Sequence, residues 1–315
     1  MPADLQFDNC LIITYVTRRL RVDNKDLTFT EICNNQEEFL RRYKLVDLFP
    51  KCGVTWETLM AIGEDYETKC YGAGRDKQEY RGEYFDILQG HIAKIASFKN
   101  VHSYRYRIKK TASLLAKIIR KSSERGNSCT VSNYFNKITD LLGLRILYVF
   151  KEDYWSVHQQ IMAEYENQLA QDISIKLKMG DDRGMYEKLL REYSNVRVDE
   201  NNTYRSIHYT IYAKTTDIDA YPRVEIQTRT VFEEGWSEIN HKLVYKRGVE
   251  GQELKKTSDV LSAMVGACDS IGALMKMLYD AEQQSHEPVN EKTELNIAGE
   301  TDSVTQVIRK FLLNQ

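Results

Sequence analysis

None of the six cysteines in this 315-residue chain belongs to a Cys-x-x-Cys pair or has a paired spacing with histidine. That argues against a zinc site or a disulfide framework and makes reduced thiols the default. Neither sign of charge dominates: 44 Lys and Arg stand against 46 Asp and Glu, a net charge of −2. A generally basic nucleic-acid coat is thereby excluded, and any anion site must be local. The N-terminus carries Asp4 and Asp8 and lacks a basic stretch followed by an apolar core, so it does not read as a secretory signal. No apolar run approaches membrane-spanning length, and no internal repeat is visible. The expectation is a soluble, cytoplasmic protein with no membrane partner, long enough for one large domain or two smaller ones.

What is present begins with a basic stretch from Arg107 to Lys121. Lys109, Ser113, Lys117 and Lys121 lie four residues apart, a spacing that puts them on one helix face as a ladder of three cations and a hydroxyl. Leu114, Leu115, Ile118 and Ile119 run beside the ladder and can anchor it to a core. Like charges on one face repel, and a polyphosphate lying along the rungs would relieve that repulsion.

Local pattern predicts an α/β protein. Leu11–Val16 has strand composition, Glu31–Tyr43 looks helical, and Thr55-x-x-Thr58 opens another helix. The N-terminal basic residues Arg18, Arg19, Arg21, Arg41, Arg42 and Lys44 read as a solvated surface. Helical spacing continues over Tyr80–Phe98 and along the ladder to about Glu124, where Arg125-Gly126-Asn127-Ser128 stops it. The period then changes. Leu144–Phe150, Tyr204–Ala213 and Arg223–Arg229 read as strands, Asn195–Asp199 as a weaker one. Helices are predicted at Trp155–Ala170, Tyr186–Tyr193, Glu233–Tyr245 and 254–282, then a polar linker from Gln283 to Ser303 and a final helix, Val304–Leu313.

Four blocks carry chemistry. Asp140 stands ahead of Gly143, which permits a tight turn into the strand bearing Arg145; a carboxylate there can hold a hard cation near phosphates. In Val224–Arg229, strand alternation puts Glu225, Gln227 and Arg229 on one face and Val224 and Ile226 on the other. Such a polar face on a buried sheet is costly unless paired or functional, and Glu225 can complete a cation site or take a proton from an attacking hydroxyl. In Tyr204–His208, Tyr204, Ser206 and His208 share a face that suggests a second ligand pocket. In Trp236–Lys246, Ile239 and Leu243 point inward while Glu238, His241, Lys242 and Tyr245 meet on one side.

Taken in order, these blocks resemble the synthetase domain of the RelA/SpoT family over about residues 80–250, most of all its small single-function members. The resemblance implies a nucleotidyltransferase-like mixed sheet of about five strands flanked by helices, with helical extensions at 1–79 and 251–315. It implies transfer of pyrophosphate from ATP to the 3′-hydroxyl of GDP or GTP, giving the alarmone (p)ppGpp and AMP. Arg107 and Arg145 would flank adenine, and Lys109, Ser113 and Lys117 would hold the ATP phosphates. Asp140 and Glu225 would be catalytic and bind Mg2+. Tyr204, His208, Gln227, Glu234 and His241 would face the acceptor. The family's hydrolase motif, His followed by Asp, is absent. The acceptor loop Val198–Tyr204 is acidic where small synthetases are basic, and Glu234 stands where they carry a guanine-reading Asn. Those two departures keep open a toxic relative, of the toxin–antitoxin kind, that acts on tRNA or an adenosine nucleotide, and beside it a non-catalytic nucleotide-binding regulator. The small synthetases also imply a possible homo-oligomer.

Overall fold

The structure, a computed structural model, describes residues 26–72, 82–126, 129–181, 183–214, 216, 220–245 and 252–285. The strand expected at Leu11–Val16, the basic residues Arg18, Arg19 and Arg21 and the helix expected at Val304–Leu313 lie outside these. The described residues form two compact units, one from 26–85 and 108–141, the other from 86–107 and 142–285. Residues 108–141 thus group with the N-terminal helices although they carry the basic ladder.

The first unit is helical. Thr28 and Glu31 cap α1 (Phe29–Asn34) reciprocally, Asn35 caps α2 (Gln36–Arg42), and Thr55 caps α3 (Trp56–Tyr71) by accepting from the Thr58 N–H. Leu59, Ile62, Tyr66 and Cys70 recur at helical spacing along α3 and are buried. Gly63 lets α1 approach, since a Cβ there would strike the Phe29 ring at 2.2 Å. The chain leaves the unit within α4 (Glu83–Ile95) and returns near the end of β1 (Ser103–Ile108). It then forms α5 (Thr111–Arg125) and the short α6 (Tyr134–Lys137). Leu114, Leu115, Ile118 and Ile119 of α5 are fully buried, and Gly126 ends the helix with a left-handed φ of 64°.

The second unit is a mixed α/β layer. Its strands are β1, β2 (Leu142–Tyr148), β3 (Ile173–Lys176), β4 (Val196–Asp199), β5 (Ser206–Tyr212) and β6 (Arg223–Thr230), in the order β1-β2-β6-β5-β3-β4. β2 runs parallel to β6 and β3 to β4, while β5 is antiparallel to β6 and β3. Register gives the sheet two chemically distinct faces. Leu142, Leu144, Ile146, Val224, Ile226, Ile207, Tyr209, Ile211, Ile173 and Ile175 form one, almost wholly buried. α7 (Asp153–Tyr165) supplies Val157, Ile161 and Tyr165 to the same core, and its His158 Nδ1 lies 2.9 Å from the Tyr209 hydroxyl. The opposite face carries Arg145, Glu225, Gln227, Arg229 and His208.

Several expectations are corrected. The sheet has six strands rather than about five, because β1 and β3 fall where helix or connection was read. Gly143 is not a turn: it sits inside β2 opposite Glu225. After α8 (Glu187–Glu192), the helix expected over Glu233–Tyr245 is α9 (Val231–Asn240) followed by a π-turn over His241–Tyr245. That change of pitch breaks the predicted alignment of Glu238 with His241 and Lys242, while the Tyr245 side chain expected beside them lies outside what is described. Ile239 and Leu243 do not point inward but are 47% and 41% exposed, and Trp236 is the buried anchor.

The last described element is α10 (Gln252–Ser285), longer than predicted and running into the expected linker. It is long and apolar enough to cross a membrane by length and composition. Asp259 and Asp269 interrupt its pattern, so no continuous apolar run marks it in the sequence. Its inner line is fixed by polar bonds. Thr230 Oγ1 donates to Asp269 Oδ2 (3.0 Å), Trp236 Nε1 to the Ser258 carbonyl (2.9 Å) and Ser258 Oγ to Asn240 Oδ1 (2.8 Å). Gly266 faces the Arg205 guanidinium, where a Cβ would sit at 3.2 Å. Its outer line, Val260, Met264, Ile271, Met275 and Leu278, is exposed.

Candidate functional site

In the first unit, the chemistry converges on Asp140. Its Oδ2 accepts from Lys109 Nζ at 2.9 Å and lies 2.8 Å from Lys117 Nζ. Burial pushes the carboxyl up, but the Lys109 charge and the bonds from both lysines outweigh this and hold it at about 2. Oδ1 is buried without a hydrogen-bond partner. The ladder expected on one helix face is corrected in one rung. Lys110 is the N-cap of α5, so Lys109 precedes the helix, and only Ser113, Lys117 and Lys121 are on it. Like-charge repulsion is relieved internally, by Asp140, and Lys121 donates to the Lys137 carbonyl (3.0 Å). α5 starts without a side-chain cap, because lysine offers no acceptor to the first-turn amides.

In the second unit, the alternation read in Val224–Arg229 is observed. Gln227 Nε2 donates to Glu225 Oε2 (2.8 Å), and Arg229 Nη2 donates to Gln227 Oε1 (2.8 Å). β5 adds His208, opposite Gln227 in register, with Nδ1 3.1 Å from Glu225 Oε1. Nε2 of the same ring is buried without a hydrogen-bond partner. Tyr204 precedes β5 and stacks on the His208 ring at 5.9 Å, with the Arg229 guanidinium 5.5 Å from the Tyr204 centroid. Ser206 faces its own sheet, donating to the Thr228 carbonyl at 3.1 Å.

Beside this row lies an arginine–carboxylate cluster. Glu234 of α9 is 4% exposed, and its Oε1 accepts from Arg145 (2.9 Å) and Arg105 (3.2 Å). Arg145 also reaches Glu238 Oε1 (3.3 Å). Arg229 Nη1 lies 3.6 Å from Glu234 Oε2, and both atoms lack hydrogen-bond partners. Burial, then the neighbouring Arg145 charge, weakens the hold of Arg229 on its proton. Arg107 is exposed on β1, and His241 is exposed in the π-turn. The acidic loop is partly neutralised: Asp199 pairs with Lys176 (2.9 Å) and Glu200 with Arg183.

Sequence reading missed Arg105, the roles of Arg229 and Glu238 in the cluster, and the α3 residues behind Lys109. The alternation Ser103-Tyr-Arg-Tyr-Arg-Ile108 was a usable signal, since period 2 puts Arg105 and Arg107 on one strand face. Nothing in the sequence pairs Glu234 with three arginines from β1, β2 and β6. Among the described residues no three His, Cys, Asp or Glu side chains converge as a ready-made metal cage. A cation here would rest on one or two carboxylate oxygens plus substrate oxygens and water.

The curated GTP pyrophosphokinase YwaC of Bacillus subtilis (strain 168) is 23% identical over 164 residues, spanning 51% of this chain and 67% of that protein. Among solved structures, small alarmone synthetase 1 from Bacillus subtilis is 20% identical with a TM-score of 0.44, covering 62% of this chain and 94% of that one. The same enzyme bound to its product pppGpp gives 21% identity and a TM-score of 0.44, covering 62% and 93%. Residues 106–250 match the family described as the region found in RelA / SpoT proteins, and over this segment the chain is similar to that family.

Proposed function

We propose that the chain is a Mg2+-dependent pyrophosphotransferase that moves pyrophosphate from ATP to the 3′-hydroxyl of GDP or GTP, giving (p)ppGpp and AMP. The observation that carries this reading is Glu225. It is an ionisable carboxylate on the polar sheet face, oriented by His208 and Gln227 and left about a quarter exposed. The named activity of the curated relative, over an alignment that takes in half of this chain, points the same way.

Each residue then has a task that its surroundings suit. Lys109, Ser113 and Lys117 hold the ATP phosphates, the lysines exchanging Asp140 for phosphate oxygens as ammonium point charges do readily. The uncapped start of α5 adds backbone N–H groups of the kind that bind phosphate. Arg107 and Arg145 flank adenine. Glu234 and Glu238 grip Arg145 by its edge, which leaves the flat face of the guanidinium available for stacking. Tyr204 stacks on the acceptor base, His208 Nε2 meets the acceptor phosphates, and Gln227, Glu234 and His241 complete that side.

Asp140 and Glu225 each supply hard oxygens of the kind Mg2+ takes, and Asp140 Oδ1 is buried without a hydrogen-bond partner. Bound there, the ion would neutralise charge on the transferring phosphates. Glu225 takes the 3′-hydroxyl proton as the 3′ oxygen bonds to the β-phosphorus of ATP. The bond from that phosphorus to the α–β bridging oxygen breaks, and AMP leaves.

A different acceptor, tRNA or an adenosine nucleotide, is the second reading, motivated by the acidic loop. The pairing of Asp199 and Glu200 with Lys176 and Arg183 weakens that motive. Incubation with ATP and Mg2+ plus GDP, GTP, ATP or bulk tRNA separates the readings by product. Pyrophosphorylated guanosine is expected; label confined to tRNA or to an adenosine product sinks the guanosine reading, and ATP binding without transfer leaves a regulator.

A further inference from the structure

We infer that Tyr66 of α3, outside the matched segment 106–250, is a positioning residue for the turn that presents Lys109 to ATP. The inference rests on the proposed role of Lys109 in holding the ATP phosphates. Lys109 sits in a two-residue connection between β1 and α5, where neither strand nor helix holds its backbone. It is nonetheless fixed at three points. Its N–H donates to the Leu141 carbonyl (2.9 Å), its carbonyl accepts from the Tyr66 hydroxyl (2.7 Å), and its Nζ meets Asp140. The next residue but one is held from the same helix: the Thr111 hydroxyl donates to Glu67, and both residues are buried.

α3 is itself braced to do this. Tyr66 is fully buried, with its ring edge-on to Tyr84 (5.8 Å) and Tyr134 (6.2 Å). The Tyr134 hydroxyl donates to Asp65 (2.8 Å), which also pairs with Lys69 (2.9 Å). Three consecutive residues, Asp65, Tyr66 and Glu67, therefore tie α3 to α6, to the Lys109 turn and to the first residue of α5. With the backbone of Lys109 satisfied, only its Nζ has to move when phosphate replaces Asp140. Without the Tyr66 hydroxyl, a buried carbonyl loses its partner, and the turn gains alternatives that ATP binding must suppress. This gives the N-terminal helices a task in donor binding that the family match does not reach.

Tyr66→Phe keeps the ring and removes the hydroxyl. The expected result is an ATP KM, and an ATP Kd by calorimetry, raised about tenfold, with kcat and the acceptor KM within about twofold. Amide exchange over 110–113 should rise as well. Tyr165→Phe is the control. It removes an equally buried hydroxyl, 3.2 Å from His91 Nδ1 in the other unit, and should leave ATP binding unchanged. Thr111→Val, which removes the bond to Glu67, should weaken ATP in the same direction and stands in if Tyr66→Phe does not fold. A Tyr66→Phe protein less stable to heat but unchanged in ATP Kd overturns the inference, because the tyrosine is then merely structural. A wild-type protein that binds no ATP overturns the donor reading as well. The two failures are distinct, since in the first the wild type binds ATP normally.

Discussion

Asp140 carries two lysines on one oxygen and leaves the other without a partner, so its charge is compensated on one side only. Its pKa, about 2 in the folded protein, is lowered from 3.8, so its contribution to stability is present above about pH 4 and disappears as pH falls through 2. That lowering corresponds to about 2 kcal/mol. Asp140→Asn should cost about that much at pH 7, with the gap to wild type closing between pH 4 and pH 2 in urea titrations; a gap constant with pH would remove the ion pairs as its cause. Glu225 is tested by kinetics. Glu225→Gln keeps the shape and a hydrogen-bonding oxygen but cannot take a proton, so kcat should fall by roughly 10²–10⁴. Activity within tenfold of wild type would exclude Glu225 as the base. Both carboxylates stand out in the sequence as candidates. The arginine cage around Glu234 was not, because its members come from three strands and a helix whose adjacency is tertiary.

At the scale of elements, the strongest conflict lies where α10 meets the Thr230 cap of α9. Burial pushes Asp269 up to about 6 against the bond from Thr230, so its charged form is disfavoured in the folded protein. For an acid with a raised folded pKa, the favourable contribution is complete below the unfolded value of about 4 and is lost as pH rises through 6. Asp269→Asn should therefore stabilise the protein at pH 8, on the order of 2 kcal/mol, and do little at pH 4. Melting curves at the two pH values check this, and an equal effect at both would assign it to packing. Element types were readable wherever a period ran undisturbed, as in α3, α5, β2 and β6. They were misread where polar residues alternate at an edge, as in β1, and where α9 widens into a π-turn. There the register of Ile239 and Leu243 was extrapolated past the end of the α-helix.

For the whole molecule, the division into two units has a practical consequence. The matched segment 106–250 contains α5 and α6 but not α1–α3, against which Leu114, Leu115, Ile118 and Ile119 have their unit's core. A fragment of residues 106–250 should thus lose cooperative unfolding of its basic helix and bind ATP at least tenfold more weakly than the full chain. Circular dichroism melts and calorimetry test this, and a fragment that binds ATP like the full chain would make the N-terminal helices dispensable.

The sequence by itself determined the mixed α/β class, the buried face of α5, the polar row Glu225-Gln227-Arg229 and the order of the blocks that mark the family. These follow from side-chain periods of 3.6 and 2, which act over a few residues and need no partner. The tertiary structure alone decided that Lys109 and Lys117 spend their charge on Asp140, that Glu234 gathers Arg105, Arg145 and Arg229, and that Tyr66 holds the carbonyl of Lys109. Apart from Arg229 and Glu234, which are close in the chain, these pairs join residues from about 23 to 130 positions apart, and their cost or benefit comes from desolvation on burial. Burial of that kind exists only once the chain has packed.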